Sequence, residues 1–322
     1  MKVKEEHKSE QLSGKDMRRK HPFLWDLKQN KTLWLMMLPV LIYTFITVWL
    51  PKAGIYFAFT NYNFKDGLFG SPFVGLKNFE FLWTTNVLGR LIRNTVLYNV
   101  AFILLDNVLE IFLAILISEV YKKWFKRISQ TLIFLPYFVS MVMVAVIAYN
   151  LLGYENGAIN GLIERLGGEK VLFYDKKLMP VIIVLFHIWK GIGYGTVVYL
   201  ASVMGISPEL HEAATVDGAN IFQRIRYITL PLLKPTFIIL IIYSIGSIMN
   251  GQFDLFHNLV GNNGMLFETT DILDTYVYRS ATTNIDFGRG TAIGLFQSVV
   301  SMILVIIVNW AIKRKNKEYA MF

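Results

Sequence analysis

Two carboxylates stand inside a long apolar run of the chain. Asp106 and Glu110 lie four residues apart, so a helix would carry them on one face. Carboxylates at such depth usually mark a functional site or a buried pair, because an isolated charge is costly among apolar groups. They could relay protons, or they could bond to an interior group such as Lys190 or His187. The pairing is favoured, and the relay stays open as the alternative.

A second polar series interrupts the apolar residues near position 250. Ser244, Ser247, Asn250 and Asp254 recur at helical spacing, and Gln297 stands four residues before Ser301 further along. Polar side chains within an apolar segment are expected to face other helices or a wet cavity, since lipid cannot hydrogen-bond to them.

Several kinds of catalytic site are excluded by residues that their motifs lack. His211 and Glu212 begin a zinc-protease pattern, but Thr215 stands where the second His would be. The pair Gly14-Lys15 lacks the other residues of a phosphate-binding loop. The chain has no cysteine, which excludes disulfides, thiolate zinc sites and thiol catalysis. We therefore predict no catalytic residue, no metal site and no ATP site in this chain.

Long apolar helices must position the polar residues. The chain of 322 residues is 54% hydrophobic and only 17% charged, with the apolar residues in runs long enough to cross a bilayer. The prediction is an all-α polytopic membrane protein with about six spans and no cleavable signal peptide. The spans are predicted at 33–59, 94–118, 128–152, 179–203, 236–256 and 291–312, which together form a membrane domain over 33–312.

Positive charge orients this domain in the membrane. The tail 1–32 carries nine Lys or Arg, the loop 119–127 carries four, and four more follow residue 312. By the positive-inside rule both termini are cytoplasmic, including the tail 313–322. The net charge of +9 is thus explained without nucleic acid. A piece at Phe23–Leu27 could lie on the membrane surface or be a plain linker.

A polar stretch at 204–235, on the cytoplasmic side by the same rule, has its own helical pattern. Ser207 and Pro208 can start a helix, and Glu209 favours its N-terminus. Gly218 permits a bend, after which a second short helix is predicted through Ile221 and Ile228. The expected result is two short helices joined by an elbow.

The stretch places Glu212, Ala213 and Ala214 ahead of Gly218, and Ile228, Leu230 and Pro231 follow at a fixed spacing. This pattern resembles the EAA signature of the permease subunits of bacterial ABC importers, and Asp217 with its neighbours resembles the carbohydrate-uptake branch. The resemblance implies a type I importer permease fold whose elbow docks on a separate ATPase. It also implies a second homologous permease, two ATPase subunits that bind ATP and Mg²⁺, and an extracellular lipid-anchored binding protein. The residues assigned to coupling are Glu212, Ala213, Ala214, Asp217, Gly218, Ile228, Leu230 and Pro231.

A sugar pathway in such a permease would need hydrogen-bonding groups and aromatic faces. By resemblance, Asn250, Gln252 and Phe253 are expected to contact sugar, and the residue pattern adds Asp254. Further candidates from other spans are Gln297, Trp189, Tyr194 and Tyr137. Helix–helix bonding for the polar group and membrane-interface anchoring for the rings remain the alternatives.

The overall prediction is a multi-pass permease of the bacterial cytoplasmic membrane that imports oligosaccharides, with both termini inside. The C-terminal portion resembles permeases for larger glycans. The external segment Asp271–Arg279 is predicted as a short helix that could support a binding protein. Two other classes remain: an ion-coupled secondary sugar transporter, for which only Asp106 and Glu110 speak, and a membrane scaffold without transport.

Overall fold

The computed structural model describes residues 26–27 and 29–315, and it divides into two compact units that meet in sequence at Tyr56 and Phe57. Residues 1–25, 28 and 316–322 lie outside the described residues. Most of the predicted N-terminal tail is therefore outside them, and only the last two residues of the piece Phe23–Leu27 are described. The described ranges are helical, and their one β feature is an isolated antiparallel bridge between Thr60 and Phe73. The predicted all-α fold is confirmed.

The first unit is built on one long apolar helix. Helix α1 (Lys31–Thr44) continues through a π turn at Phe45–Trp49 and a 3-10 segment at Leu50–Phe59. None of the residues of α1 is buried. An apolar helix that leaves its side chains uncovered suits contact with lipid or with another chain.

The second unit contains ten longer helices and several short turns within the described residues. In chain order the helices are α2 (Val87–Ser118), α3 (Lys123–Phe134), α4 (Met141–Leu152), α5 (Ala158–Arg165), α6 (Met179–Met204), α7 (Pro208–Val216), α8 (Ile221–Gly246), α9 (Phe253–Val260), α10 (Leu273–Thr282) and α11 (Phe287–Lys315). The short turns are Gly67–Gly70, Lys77–Phe79, Phe81–Thr84, Leu135–Phe138, Gly264–Leu266 and Phe267–Thr270.

Five helices, Lys31–Phe59, α2, α6, α8 and α11, are long and apolar enough to cross a membrane, and a bent pair, α3 with α4, makes up to six. This agrees with the predicted number. The predicted span 128–152 is not one continuous helix, because α3 and its 3-10 extension meet α4 at 97°. The bend follows Pro136, and Ser140 caps the new helix by accepting from the amide of Met143 at 3.3 Å. Lys190 Nζ then donates to the carbonyls of Tyr137 and Val139, each at 2.8 Å.

The predicted span 236–256 is also wrong in its bounds. Helix α8 begins at Ile221 and ends at Gly246, so residues 250–254 lie in the break before α9 and in its first turn. A π turn at Ile225–Thr229 carries the helix through Pro231, whose missing N–H and bulky ring would disturb a regular ladder. Pro231 and Pro235 therefore both lie inside a continuous helix.

The core of the second unit centres on α2 and α6, which pack along much of their length. At the end nearer α7, Ala114 and Ile117 of α2 pack with Tyr199 and Leu200 of α6 and with Leu233 of α8. At the other end, Val144 and Ala148 of α4 and Leu255 and Phe256 of α9 pack into the core. Between these apolar clusters α2 and α6 meet through polar side chains, which define the interior site.

Candidate functional site

The elbow between α7 and α8 is held by bonds that connect its two arms. Gly218 adopts φ +81°, which a residue with a Cβ rarely takes, and nothing lies within 4 Å of where a Cβ would stand. Arg224 Nη1 of α8 donates to Thr215 Oγ1 of α7 at 3.2 Å. Asn220 and Gln223 form a reciprocal capping box at 2.8 and 2.9 Å. The elbow is therefore a braced bend and not a loose loop.

The coupling residues divide between the two arms. Glu212, Ala213, Asp217 and Gly218 lie exposed on α7 and at the bend. Ile228, Leu230 and Pro231 belong to the first turns of the long α8, so the predicted second short helix is corrected to the start of a span. Ser207 does stand at the N-cap position, but its side chain makes no capping bond.

The structure adds exposed apolar residues to the elbow that the motif did not reveal. Val216 is 88% exposed and Phe222 is 79% exposed, and they stand on either side of Gly218. Large exposed apolar side chains next to a polar bend are typical of a protein contact. Behind the bend, a pocket of about 740 Å³ is lined by charged residues that include Glu119, Lys126, His211, Glu212 and Arg224.

A separate cavity of about 350 Å³ lies among α2, α6 and α8. Its lining is rich in polar groups that can donate or accept hydrogen bonds. The polar lining residues are Asn99, Asp106, Asn107, Glu110, His187, Tyr194, Tyr243, Ser244, Ser247 and Gln252. A cavity of this size and chemistry among helices that could span a membrane is a candidate path for a polar solute.

Several polar side chains on the α2–α6 side of this cavity bond to one another across the two helices. Asp106 Oδ2 lies 2.8 Å from His187 Nε2, and the His187 ring stacks on Phe102 with centroids 3.7 Å apart. Tyr199 donates from its hydroxyl to Asn107 Oδ1 at 2.5 Å. Of the two partners considered from the sequence for the carboxylates, His187 is the one that Asp106 contacts.

Glycine in α6 permits this close approach of helices. The carboxyl of Glu110 occupies the space that a Cβ on residue 195 would need. At Gly193 the carbonyl of Ile133 in α3 would lie 2.4 Å from an added Cβ. The third glycine of this run, Gly191, has nothing within 4 Å of an added Cβ, so only two of the three glycines lie at a close helix contact.

The predicted substrate residues fall into two groups. Of these residues, all of which the structure describes, Gln252 and Tyr194 line the cavity, whereas the other six lie outside its lining. Tyr137 stacks on Tyr194 at 5.4 Å and so extends that wall. Trp189 packs edge-on against Phe186 at 6.2 Å, and Asp254 is exposed in the first turn of α9.

Gln297 has a positioning role that its spacing did not reveal. Its buried Nε2 lies 2.8 Å from the carbonyl of Met249, 3.1 Å from Asn250 Oδ1 and 2.9 Å from Asp274 Oδ1. Asp274 also accepts from the amide of Gly251. Burial raises the pKa of Asp274 above its ordinary value, and these two bonds offset the rise only in part. Gln297 and Asp274 thus fix the break between α8 and α9.

The comparisons with known proteins agree with this arrangement. The family described as "Binding-protein-dependent transport system inner membrane component" matches residues 107–317. Protein LplB of Bacillus subtilis (strain 168) is 36% identical over 293 residues, which is 91% of this chain and 92% of that protein. The polygalacturonan/rhamnogalacturonan transport system permease protein YteP of the same strain is also 36% identical, over 91% of each chain.

Solved structures extend the similarity to the fold. A chain in the crystal structure of a bacterial ABC transporter involved in the import of the acidic polysaccharide alginate matches with a TM-score of 0.82 and 32% identity. The match covers 91% of this chain and 99% of that one. A second structure, of the bacterial alginate transporter in complex with an alginate pentasaccharide-bound periplasmic protein, gives 0.81 and 31%, over 92% and 98%.

Proposed function

Because the chain belongs to the family of binding-protein-dependent transport system inner membrane components, we propose that it forms half of a pathway that imports oligosaccharides. It is the membrane-spanning, non-enzymatic subunit of an ABC transporter, in which a separate ATPase hydrolyses ATP. The observation that carries the proposal is the polar cavity of about 350 Å³ among α2, α6 and α8. A hydroxyl-rich solute that loses water in the membrane needs such replacement partners.

The elbow is the proposed connection to the ATPase. Glu212, Ala213, Asp217 and Gly218 are exposed at the elbow and Ala214 is half-buried there, next to the exposed Val216 and Phe222. Since α8 continues directly from the elbow, a movement of the docked elbow would move a wall of the cavity. Such transmission requires that the docking contacts differ between the two states of the ATPase.

The complete assembly comprises this chain, a second homologous permease, two ATPase subunits and an extracellular lipid-anchored binding protein. ATP and Mg²⁺ bind to the ATPase subunits. The positive charges of the loop 119–127, which adjoins the elbow pocket, favour a cytoplasmic elbow and cytoplasmic termini.

The substrate class rests on the relatives together with the residues near the break. One relative is named for polygalacturonan and rhamnogalacturonan, and the two solved structures are of alginate import. We assign Gln252 and Tyr194 to direct sugar contact in the cavity, with Tyr137 extending the wall, and Asn250 and Phe253 to its entrance. Outside the cavity lining, we assign Asp254 a polar contact and Trp189 an aromatic contact with the sugar. Gln297 positions the break between α8 and α9.

Reconstitution tests the proposal. Vesicles with the two permeases and enclosed ATPase sites should take up labelled oligosaccharide only with internal ATP and external sugar-loaded binding protein, and a protonophore should leave uptake unchanged. Uptake that needs no ATP and collapses with the protonophore would establish the ion-coupled alternative instead. Asn250→Ala and Phe253→Ala should change sugar preference in an intact assembly, which a mere scaffold would not do.

A further inference from the structure

Three aromatic rings form a compact group at the end of α8 farthest from the elbow. Phe253 and His257 of α9 are nearly parallel, at 10° and 5.0 Å between ring centroids. Tyr278 of α10 lies 4.9 Å from Phe253 and 4.8 Å from His257, tilted at 52° and 62° to them. We propose that His257 and Tyr278, together with Phe253, form an aromatic corner that holds a sugar ring of the oligosaccharide as it enters the cavity.

The position of this aromatic corner supports the assignment. Gln252, which lines the cavity, is adjacent in the chain to Phe253. The aromatic corner therefore begins at the residue that follows the cavity lining in the chain. Tyr278 is 41% exposed, so part of its ring remains open to a ligand. In the proposed path, a sugar ring contacts this aromatic corner on the side of the cavity away from the elbow.

The rings are held from behind by buried residues. The opposite face of α9 carries Leu255, Phe256 and Leu259, all buried in the core with α2, α4 and α6. This anchoring fixes the direction of Phe253 and His257, which share the other face four residues apart. A preformed aromatic surface binds with less loss of side-chain freedom than a mobile one.

The third ring is fixed by an ion pair and by a close backbone approach. Arg279, next to Tyr278, donates to both oxygens of the buried Asp271 at 3.2 and 2.7 Å. Asp274 of the same helix accepts from the amide of Gly251, at a point where an added Cβ would stand 2.3 Å from Ile272 Cδ1. Helix α10 is thereby tied to the break, and Tyr278 keeps its place beside Phe253.

The chemistry of the corner matches a pyranose ring. Aromatic faces are attractive to the C–H faces of a sugar, while the Tyr278 hydroxyl and the His257 nitrogens can bond to its hydroxyls. Three rings in two orientations would contact one face and one edge of a sugar. This inference rests on the proposed oligosaccharide import, and it adds two residues that neither the motif nor the cavity includes.

The test uses the reconstituted complex with the sugar-loaded binding protein. His257→Ala and Tyr278→Ala should each lower uptake at subsaturating sugar by about two- to ten-fold, the range expected for loss of one aromatic contact. His257→Phe and Tyr278→Phe, which keep a ring, should restore most of it. The matched control is Tyr154→Ala, because Tyr154 is 46% exposed, much like Tyr278, and its ring lies 6.0 Å from Lys170 Nζ and not in the corner.

The outcomes separate the two proposals. Loss of uptake with unchanged thermal stability in the alanine variants, and not in Tyr154→Ala, supports the corner. If both alanine variants take up sugar as fast as the wild type, the corner is overturned and the permease function stands. An equal loss in Tyr154→Ala, or no recovery with the ring-retaining variants, also overturns the corner. No ATP-dependent uptake by the wild-type complex would overturn both proposals.

Discussion

His187 Nε2 and Asp106 Oδ2 lie 2.8 Å apart, although the residues are 81 positions apart in the chain and on different helices. The His187 side chain is only 11% exposed, and its ring stacks on Phe102. The bond joins α2 to α6 at the cavity wall, so the carboxylate of Asp106 has an interior partner, as the pairing favoured from the sequence requires.

A double-mutant cycle should measure this bond. Asp106→Leu and His187→Leu should each lower the Tm of the purified complex, and the double variant should be no less stable than the worse single variant. The expected coupling is about 1 kcal/mol, typical of polar contacts between membrane helices. Simple addition of the two single effects would show that the residues do not stabilise each other.

Two glycines of α6 should respond differently to the same substitution. Gly193→Ala places a methyl group 2.4 Å from the carbonyl of Ile133, and backbone cannot move aside cheaply, so a loss of about 1–3 kcal/mol is expected. Gly191→Ala meets nothing within 4 Å and should be neutral or slightly stabilising. Thermal unfolding of the two variants compares them, and equal Tm values would contradict the packing of α3 on α6.

The ion pair between Arg279 and Asp271 should contribute more to stability than the ion pair between Lys176 and Glu268. Asp271 has a side chain that is 0% exposed, so Arg279→Met would leave a buried carboxylate with weaker compensation and cost about 3–5 kcal/mol. Lys176→Met removes a pair at 2.7 Å in which both side chains are more than half exposed, and should change stability little. Denaturant unfolding checks both, and comparable losses would be contrary to expectation.

The pH dependence of the exposed pair has a definite sign. Hydrogen bonding to Lys176, and its charge, lower the pKa of Glu268 below the ordinary carboxyl value. The small stabilisation by the Lys176–Glu268 pair is therefore present at pH values above the ordinary carboxyl pKa. It is lost as the pH falls through the folded-state pKa of Glu268. Lys176→Met should remove it.

The bend of the elbow can be tested with a matched glycine. Gly218 and Gly167 both adopt φ +81° with nothing within 4 Å of an added Cβ, so Asp at either position bears a similar backbone strain of about 1–2 kcal/mol. Gly218→Asp should abolish uptake and reduce co-purification of the ATPase, whereas Gly167→Asp should preserve both. Binding of sugar by the binding protein should stay unchanged. Normal uptake in Gly218→Asp would refute the role of the elbow.

Much of the fold follows from local sequence. Long apolar runs predict spans because the bilayer thickness sets their length. Gly218 predicts the bend, since few other residues take a positive φ. The short helix predicted at Asp271–Arg279 corresponds to α10, which begins at Leu273, and the side chains of Ile272 and Leu273 are both buried.

The structural features that the sequence did not predict depend on contacts between residues that are far apart in the chain. Pro231 indicates a helix start, but the π turn at Ile225–Thr229 carries α8 through it. Gln297 looked like a pathway residue, yet its amide holds Met249, Asn250 and Asp274 together from 23 to 48 positions away. Tyr278 gave no signal because the aromatic corner exists only after α9 and α10 pack together.

Photo-cross-linking offers the most direct test of the central claim, that the elbow contacts the ATPase. The chain contains no cysteine, so a single introduced thiol is the one site on this chain that a photoreactive maleimide can label. Val216→Cys at the elbow and Leu166→Cys after α5 are suitable sites, because these residues are 88% and 79% exposed. We predict that illumination of the complex joins the ATPase to Val216→Cys and not to Leu166→Cys. An ATPase cross-link at Leu166→Cys, or none at Val216→Cys in a complex that retains ATPase, would contradict the account.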